Sequence, residues 1–163
     1  MRAFYSDQFV LPLPAGHRFP MAKYRLLRDT LSTSQPGIAL HAAEPATDGE
    51  LALVHTPDYI QAVAQGRLSE AAQKDIGFPW SPEMVSRSRC SAGATLMAAR
   101  AALLGGEGLA ANLAGGTHHA YADKGSGFCV FNDSAVAARL MQAEWARAYK
   151  RPLPVAVIDL DVH

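Results

Sequence analysis

The sequence predicts an α/β domain with a mostly parallel sheet that helices cover on both faces. Short apolar segments alternate with helical segments along the 163 residues, which is typical of parallel α/β architecture. The clusters rich in Gly, His and Asp follow apolar segments. In such sheets, ligands bind at the carboxyl ends of the strands, so these clusters are candidate functional residues. Hydrophobic residues make up 49% of the chain and charged residues 18%, so a core of useful size is expected.

In the first half of the chain, local patterns predict two strands and three helices. The expected strands are 3–9 and 38–40, and the expected helices are 20–31, 47–54 and 56–66. Helix 20–31 has apolar residues at helical spacing. The pair Thr56-Pro57 supplies a capping hydroxyl and a proline at the first helical position, and Gly66 ends that helix.

In the second half, the expected helices are 81–104 and 133–149, and the expected strands are 109–113 and 155–162. Ser81-Pro82 repeats the capping signal, and Gly105-Gly106 follows the end of the longest helix. The middle of that helix, residues 86–93, is rich in Ser and Gly, which predicts a bend or a close packing contact there. Pro152 and Pro154 flank the turn into the last strand.

Composition excludes several functional classes. Fifteen basic residues balance fifteen acidic ones, so no overall field favours nucleic acid or an anionic membrane. The basic residues are scattered, which is typical of solvated helix faces; they include Arg18, Lys23, Arg28, Arg87, Arg89 and Arg147. No apolar run reaches the ~20 residues of a membrane span, and no secretory leader is visible at the start. Two cysteines form no disulfide framework and are consistent with the cytoplasm.

Three clusters contain residue types suited to catalysis. The first, GGTHHA at residues 115–120, places His118 and His119 directly after a predicted strand, and imidazoles transfer protons near neutral pH. Taken alone, a pair of adjacent histidines is more often part of a polar surface loop without a chemical role. The second, GSGFCVFND at residues 125–133, combines glycines with an aromatic wall, and a flexible loop before a helix is its plainer interpretation.

The third cluster, DLDVH at residues 159–163, places three polar side chains at alternate positions of an apolar strand. Side chains alternate between the faces of a strand, so Asp159, Asp161 and His163 share one face. Two carboxylates and an imidazole together suit a divalent metal, and one further protein ligand is needed to close such a site.

Together these clusters closely resemble the histone deacetylase superfamily in order and spacing. The segments at 16–24 and 54–59 also look like bacterial members, and GFPWS at 77–81 is reminiscent of the subgroup nearest class IV deacetylases. The resemblance covers nearly the whole chain. It implies the three-layer arginase/deacetylase fold, with a mostly parallel sheet that is incomplete at the carboxyl end. It also implies that residues 1–163 form the amino-terminal part of a single catalytic domain.

The resemblance also implies roles for the polar residues. Asp161 and His163 would be zinc ligands, and His119 would be the general base. His118 would stabilise charge and support proton transfer. Asp159 would orient His118 and help to hold a structural potassium ion.

By the same resemblance, Gly127 and Phe128 would line a narrow channel for an acyl-lysine-like chain. The implied activity is zinc-dependent hydrolysis of an acyl group from acyl-lysine or a small acylated amine. The family's third zinc ligand and its transition-state tyrosine are absent, so the isolated chain is expected to be an inactive fragment.

Two other functions stay open at this point. One is a non-enzymatic truncated domain that self-associates through the unpaired edge of its last strand, so that a homo-oligomer is one outcome. The other, a nucleotide- or sugar-binding domain of the doubly wound class, is the weaker alternative. No G-x-G-x-x-G turn follows the first strand.

Overall fold

The computed structural model describes residues 1–161, which contain strands and helices in α/β order. The strands are β1 (Arg2–Tyr5), β2 (Ala39–Ala42) and β3 (Ala110–Asn112). The helices are α1 (Lys23–Ser34), α2 (Asp48–Leu51), α3 (Pro57–Gln65), α4 (Glu70–Ile76), α5 (Pro82–Leu103) and α6 (Asp133–Tyr149). The predicted α/β class is confirmed.

The three strands form one parallel sheet in the order β2–β1–β3. Arg2 of β1 is opposite Ala39 of β2 on one side and opposite Ala110 of β3 on the other. Because the strands run in the same direction, their carboxyl ends lie at one edge of the sheet. The segment after β3 therefore leaves at the edge where ligands bind in open α/β sheets.

The predicted capping signals start and end the helices. At α3 and α5, Thr56 and Ser81 each accept a hydrogen bond from a backbone N–H of the first turn, which confirms both starts. Gly66 ends α3 with a φ of 66°, a left-handed conformation that glycine adopts without steric cost. Sequence analysis did not predict α4, although Ser69 caps it in the same way and Gly77 follows it.

Two elements near the amino terminus have different bounds from those predicted. β1 ends at Tyr5 rather than at residue 9, because its pairing with β2 stops there and Asp7 instead forms an ion pair with Arg28 of α1 at 2.9 Å. α1 begins at Lys23 rather than at residue 20, because a turn precedes it. None of the residues of α1 is buried, so its apolar stripe is not part of the core.

The predicted strand at 155–162 is wrong over its described part, residues 155–161. This segment forms no strand in the described chain, and Ile158 is 82% exposed. Strand conformation is stabilised by ladder hydrogen bonds to a neighbour, and the described residues provide no such pairing with β2 or β3. The apolar pattern indicated side chains that suit a sheet, but a pattern does not supply the partner strand.

The largest apolar core lies among α3, α4, α5 and α6. Its buried members include Tyr59, Ile60, Val63, Ile76, Met84, Leu96, Val136 and Leu140. A second, smaller cluster joins the sheet to α5 and consists of Phe4, Ala43, Cys90, Ala94, Ala98 and Ala101. Within residues 1–161, none of the helices has the length and apolar character needed to cross a bilayer.

Gly93 in the middle of α5 allows the segment after β2 to pack directly on the helix. A Cβ atom at this position would lie 1.9 Å from the carbonyl oxygen of Glu44 and 2.9 Å from the backbone nitrogen of Ala46. Ala46 N–H also donates to the Arg89 carbonyl at 2.9 Å. The close contact expected from residues 86–93 is therefore present, and it fixes α5 against the chain that leaves the sheet.

Candidate functional site

A buried carboxylate organises the loop that follows β3. Asp133, the first residue of α6, has no exposed surface. Its Oδ1 accepts hydrogen bonds from the backbone N–H groups of Thr117 (2.9 Å) and Ser134 (2.8 Å). Its Oδ2 accepts from the N–H of Gly116 (3.0 Å) and from the hydroxyl of Thr95 (2.6 Å). These bonds satisfy the carboxylate and hold the backbone just before the tandem histidines.

Asn132 holds the same loop from its other end. Its side-chain N–H₂ group donates to the carbonyls of His118 at 3.1 Å and Ala120 at 3.0 Å. Its Oδ1 accepts from the N–H of Ala135 at 3.0 Å, which caps α6. The backbone N–H of Asn132 donates to Nε2 of His55 at 3.0 Å. Asn132 and Asp133 together fix the loop backbone on both sides of His118 and His119.

His55 makes this arrangement sensitive to pH. It is 2% exposed, and burial lowers the pKa of its imidazole from the ordinary value of 6.5. The unfolded chain therefore binds the proton first, and a protonated ring loses the acceptor that Asn132 uses. We expect the free energy of unfolding to fall as pH drops from about 7 to about 5, since stability is lost where the unfolded state binds more protons.

Chemical denaturation at several pH values measures this dependence. His55→Gln is expected to flatten the profile, whereas His41→Gln, which changes an exposed histidine, is expected to leave it unchanged. An equal slope in the His55→Gln variant and the parent protein would show that His55 is not the group responsible.

The tandem histidines lie beside two carboxylates. Nε2 of His118 is 3.6 Å from Oδ2 of Asp159 and 3.6 Å from Oδ2 of Asp161. The His118 and His119 ring centroids are 4.1 Å apart. The Asp161 N–H donates to Oδ1 of Asp159 at 2.9 Å, which links the two aspartates. Both imidazoles are partly buried.

Three of these residues fit a metal ion. One ligand atom from each of His118, His119 and Asp161 can be chosen so that all three lie within 4.8 Å of one another. Imidazole nitrogen and carboxylate oxygen are donors that zinc takes in proteins. Sequence analysis paired Asp161 with His163, and His163 lies outside the described residues. The described chain thus provides donor types of a metal centre, and two of these donors are the histidines predicted to transfer protons.

Gly127 and Phe128 form a tight turn next to His119. Their φ angles are 54° and 65°, which is unusual for the non-glycine residue Phe128. Backbone hydrogen bonds from Gly127 to Asp75 (3.0 Å) and from Phe128 to Ile76 (2.7 Å) hold this conformation against the end of α4. A Cβ atom on Gly127 would lie 3.2 Å from Cδ2 of His119, so glycine lets the turn approach that imidazole closely.

The Phe128 ring belongs to an aromatic cluster. Its centroid lies 5.1 Å from that of Phe19, 5.0 Å from Phe78 and 5.8 Å from His17. The guanidinium carbon of Arg18 lies 5.0 Å from the same ring centroid. Offset and tilted aromatic contacts of this kind stabilise a rigid wall, so the position of Phe128 is fixed.

The histidines, Asp161 and the aromatic wall line one cavity of about 570 Å³. That volume lies within the ~300–1,000 Å³ range of small-molecule sites. Its lining residues are Arg18, Phe19, Pro20, Lys23, Tyr24, Arg87, 114–119, Gly127, Phe128, Cys129 and Asp161. Arg87 is only 6% exposed, so the expectation that it belongs to a solvated helix face is wrong.

Cys129 does not provide a reactive thiolate in this cavity. It is buried, and burial raises the pKa of its thiol. A thiol with a raised pKa is a weak nucleophile near neutral pH, and buried cysteines usually act as small hydrophobic residues.

Most of the predicted site residues come together at this edge. His118, His119, Asp161, Gly127 and Phe128 line the cavity, and Asp159 contacts His118. Sequence analysis missed the positioning role of Asn132 and Asp133. An available signal was the pair Asn-Asp just before a helical segment, since both residues are favoured at helix starts.

Comparisons with known proteins point to one family. Residues 17–163 match the family model of the histone deacetylase domain. An uncharacterized protein of Picosynechococcus is 43% identical over 162 residues, which cover 98% of this chain and 51% of that protein. The acetoin utilization protein AcuC of Bacillus subtilis is 38% identical over 126 residues, which cover 72% of this chain and 31% of AcuC.

Solved structures show the same fold. The crystal structure of a histone deacetylase homologue from Aquifex aeolicus superposes with a TM-score of 0.69 and 25% identity, covering 88% of this chain and 41% of that chain. The chain spans about half the length, or less, of the relatives it matches. The family match, the fold and the residues gathered at the sheet edge lead to one conclusion: this chain belongs to the histone deacetylase family.

Proposed function

We propose that this chain supplies the amino-terminal part of the active site of a zinc-dependent amidohydrolase. Its substrate would be an acyl-lysine or a small acylated amine, as in deacetylase-type chemistry. The observation that carries the proposal is the grouping of His118, His119 and Asp161, with ligating atoms within 4.8 Å of one another, in the wall of a cavity. Membership of the histone deacetylase family supports the same reaction class.

In this proposal Asp161 and His163 hold the metal. Of these two, Asp161 lies among the described residues, next to both tandem histidines. A bound zinc ion would polarise the amide carbonyl and lower the pKa of a water molecule to about 7. Asp159 would contribute an oxygen to a separate structural potassium ion.

The chain's own side chains then move protons and position the substrate. His119 takes the proton of the attacking water as general base. His118 supports charge stabilisation and proton transfer, and the carboxylate of Asp159, 3.6 Å from its Nε2 atom, orients the ring. Gly127 has no side chain, which leaves room beside His119. Phe128 provides an apolar wall for the aliphatic part of the substrate.

Zinc binding tests the first step of the proposal. Asp161→Ala is expected to weaken zinc binding at least about tenfold, since the loss of even an outer-shell contact typically costs 10–100-fold in metal affinity. Isothermal titration calorimetry measures the change. Asp123→Ala is the matched control, because Asp123 is an exposed carboxylate in the loop after the histidines. Equal zinc affinity in the two variants would contradict the assignment of Asp161.

Hydrolysis of an acetyl-lysine peptide by the zinc-loaded protein tests the second step. In a longer protein that contains this chain and supplies the rest of the active site, His119→Ala is expected to lower kcat by about 10²–10⁴, the usual contribution of a general base. If instead the 163-residue chain binds no zinc and self-associates, the non-enzymatic oligomerising function is supported for this chain. Light scattering coupled to size exclusion distinguishes that outcome. The exposed apolar side chains of Val157, Ile158 and Leu160 provide a surface for such association.

A further inference from the structure

Arg87 of α5 carries a buried charge without a partner in the described chain. The residue is 6% exposed, and its Nε and Nη2 atoms are buried and form no hydrogen bond within residues 1–161. A buried charge without a hydrogen-bonding partner is costly, so such groups are normally paired. Among the described residues, two N–H donors of the Arg87 guanidinium are therefore available to a ligand.

Other arginines of this protein follow the normal pattern. Arg28 pairs with Asp7 at 2.9 Å, Arg89 with Asp48 at 2.6 Å, and Arg100 with Glu144 at 2.6 Å. All three are paired although each is more exposed than Arg87.

Aromatic rings hold the Arg87 guanidinium in place but do not satisfy it. Its central carbon lies 4.5 Å from the Tyr24 ring centroid and 5.7 Å from the Phe19 ring centroid. A ring face attracts the cation, but the N–H groups in the guanidinium plane still need oxygen acceptors. Lys23 lies over the same two rings, 5.0 Å from each centroid, so a second positive charge shares the cluster.

The cavity that contains the tandem histidines also contains these cations. Arg18, Lys23 and Arg87 line it, and Asp161 is the acidic residue among its lining residues in the described chain. If Asp161 binds a metal, as proposed above, its charge is committed to that ion. The cavity then holds an excess of positive charge between apolar walls, and this combination selects an anion with an aliphatic stem.

We infer that the acyl group of the substrate ends in a carboxylate, which Arg87 binds. Nε and Nη2 lie on one edge of the guanidinium, where their two parallel N–H groups match the two oxygens of a carboxylate. The substrate class is thus the monoamide of a dicarboxylic acid, of the succinyl or glutaryl type, on a lysine or small amine. This inference rests on the proposed function, because it specifies the substrate of the same site.

The reaction balances without any further reagent. Water adds to the acyl carbonyl carbon, the C–N bond breaks, and the amine leaves with the water proton delivered through the histidines. One monoamide anion and one water give one ammonium ion and one dicarboxylate dianion, so atoms and charge are conserved.

Calorimetric binding of two lysine peptides of identical sequence, one glutarylated and one acetylated, tests the inference. We expect at least tenfold tighter binding of the glutaryl peptide. Arg87→Met should remove that preference, and Arg87→Lys, which keeps the charge but loses the paired donors, should retain only part of it. Arg147→Met, which changes an exposed arginine of α6, should leave it unchanged.

Thermal unfolding with added glutarate provides a second measurement that needs no peptide. Glutarate should raise the Tm of the parent protein and leave the Tm of Arg87→Met unchanged. A cooperative unfolding transition in the Arg87→Met sample also shows that the variant is folded. Equal affinity for both peptides, unaffected by Arg87→Met, would overturn the inference. Arg87-dependent binding of free glutarate or acetate with no peptide preference would overturn the acyl assignment, because the carboxylate would come from a free acid.

The failure of the proposed function gives a different result. If the glutaryl peptide binds through Arg87 but a zinc-loaded longer protein that contains this chain and the rest of the active site hydrolyses neither peptide, the carboxylate site stands and the amidohydrolase proposal fails. If the acetyl peptide is hydrolysed while binding shows no Arg87-dependent preference, the enzyme proposal stands and the inference about the acyl group fails.

Discussion

Replacing Asp133 with alanine is expected to destabilise the protein by about 3–5 kcal/mol, because several buried donors lose their acceptor at once. The carboxylate has no exposed surface and accepts hydrogen bonds from the backbone of Gly116 and Thr117 and from the hydroxyl of Thr95. Each buried donor left without a partner costs about 1–3 kcal/mol. The variant also releases the loop that carries the tandem histidines.

Urea denaturation measures the change in the free energy of unfolding. Asp58→Ala is the matched control, since Asp58 occupies the first turn of α3 as Asp133 does in α6, but it is exposed. That control is expected to cost no more than about 1 kcal/mol, the size of a helix-dipole contribution. A loss for Asp133→Ala as small as that of the control would refute its organising role.

Replacing Gly93 with alanine is expected to cost about 3 kcal/mol or more, at the upper end of the overpacking effects seen in protein cores. The added Cβ would lie 1.9 Å from the carbonyl oxygen of Glu44, and the obstructing atom is backbone rather than a flexible side chain. The segment after β2 must therefore move away from α5. That movement also stretches the hydrogen bond from Ala46 to Arg89.

Gly49→Ala provides the comparison within the same protein. Gly49 lies in α2 with nothing within 4 Å of its added Cβ, so alanine there is expected to be neutral or stabilising by up to about 1 kcal/mol. Thermal unfolding of the two variants separates the steric effect from the general preference of helices for alanine. Similar Tm values for both would contradict the close packing at Gly93.

Local patterns predicted α3 and α5 well because the interactions that start these two helices are local, whereas α4 was missed although Ser69 caps it in the same way. Thr56 and Ser81 cap α3 and α5 from within four residues, so the sequence alone carries the signal. The prediction of a strand at 155–162 was wrong over residues 155–161 for the opposite reason. The conformation of this segment depends on hydrogen bonds to another strand, and an apolar pattern does not reveal whether that strand is there.

In the candidate site, too, features set by local sequence were predicted and features set by distant contacts were not. His118, His119, Asp159 and Asp161 were predicted because each stands in a short motif of distinctive composition. The role of Asp133 depends on contacts with residues 16 and 17 positions earlier in the chain, which no local pattern displays. Arg87 was interpreted as a solvated charge and is instead buried. Tertiary packing decides whether one arginine on a polar stretch of helix is buried, and the local sequence does not show that packing.

The anchoring of the histidine loop by Asn132 and Asp133 has a thermodynamic consequence for any ligand. The backbone around His118 and His119 loses its conformational entropy when the protein folds, not when a ligand arrives. Binding at this edge of the sheet therefore avoids an ordering penalty for the backbone that carries the two imidazoles. Ligand affinity is thus linked to the start of α6, because Asn132 and Asp133 hold the histidine loop by hydrogen bonds.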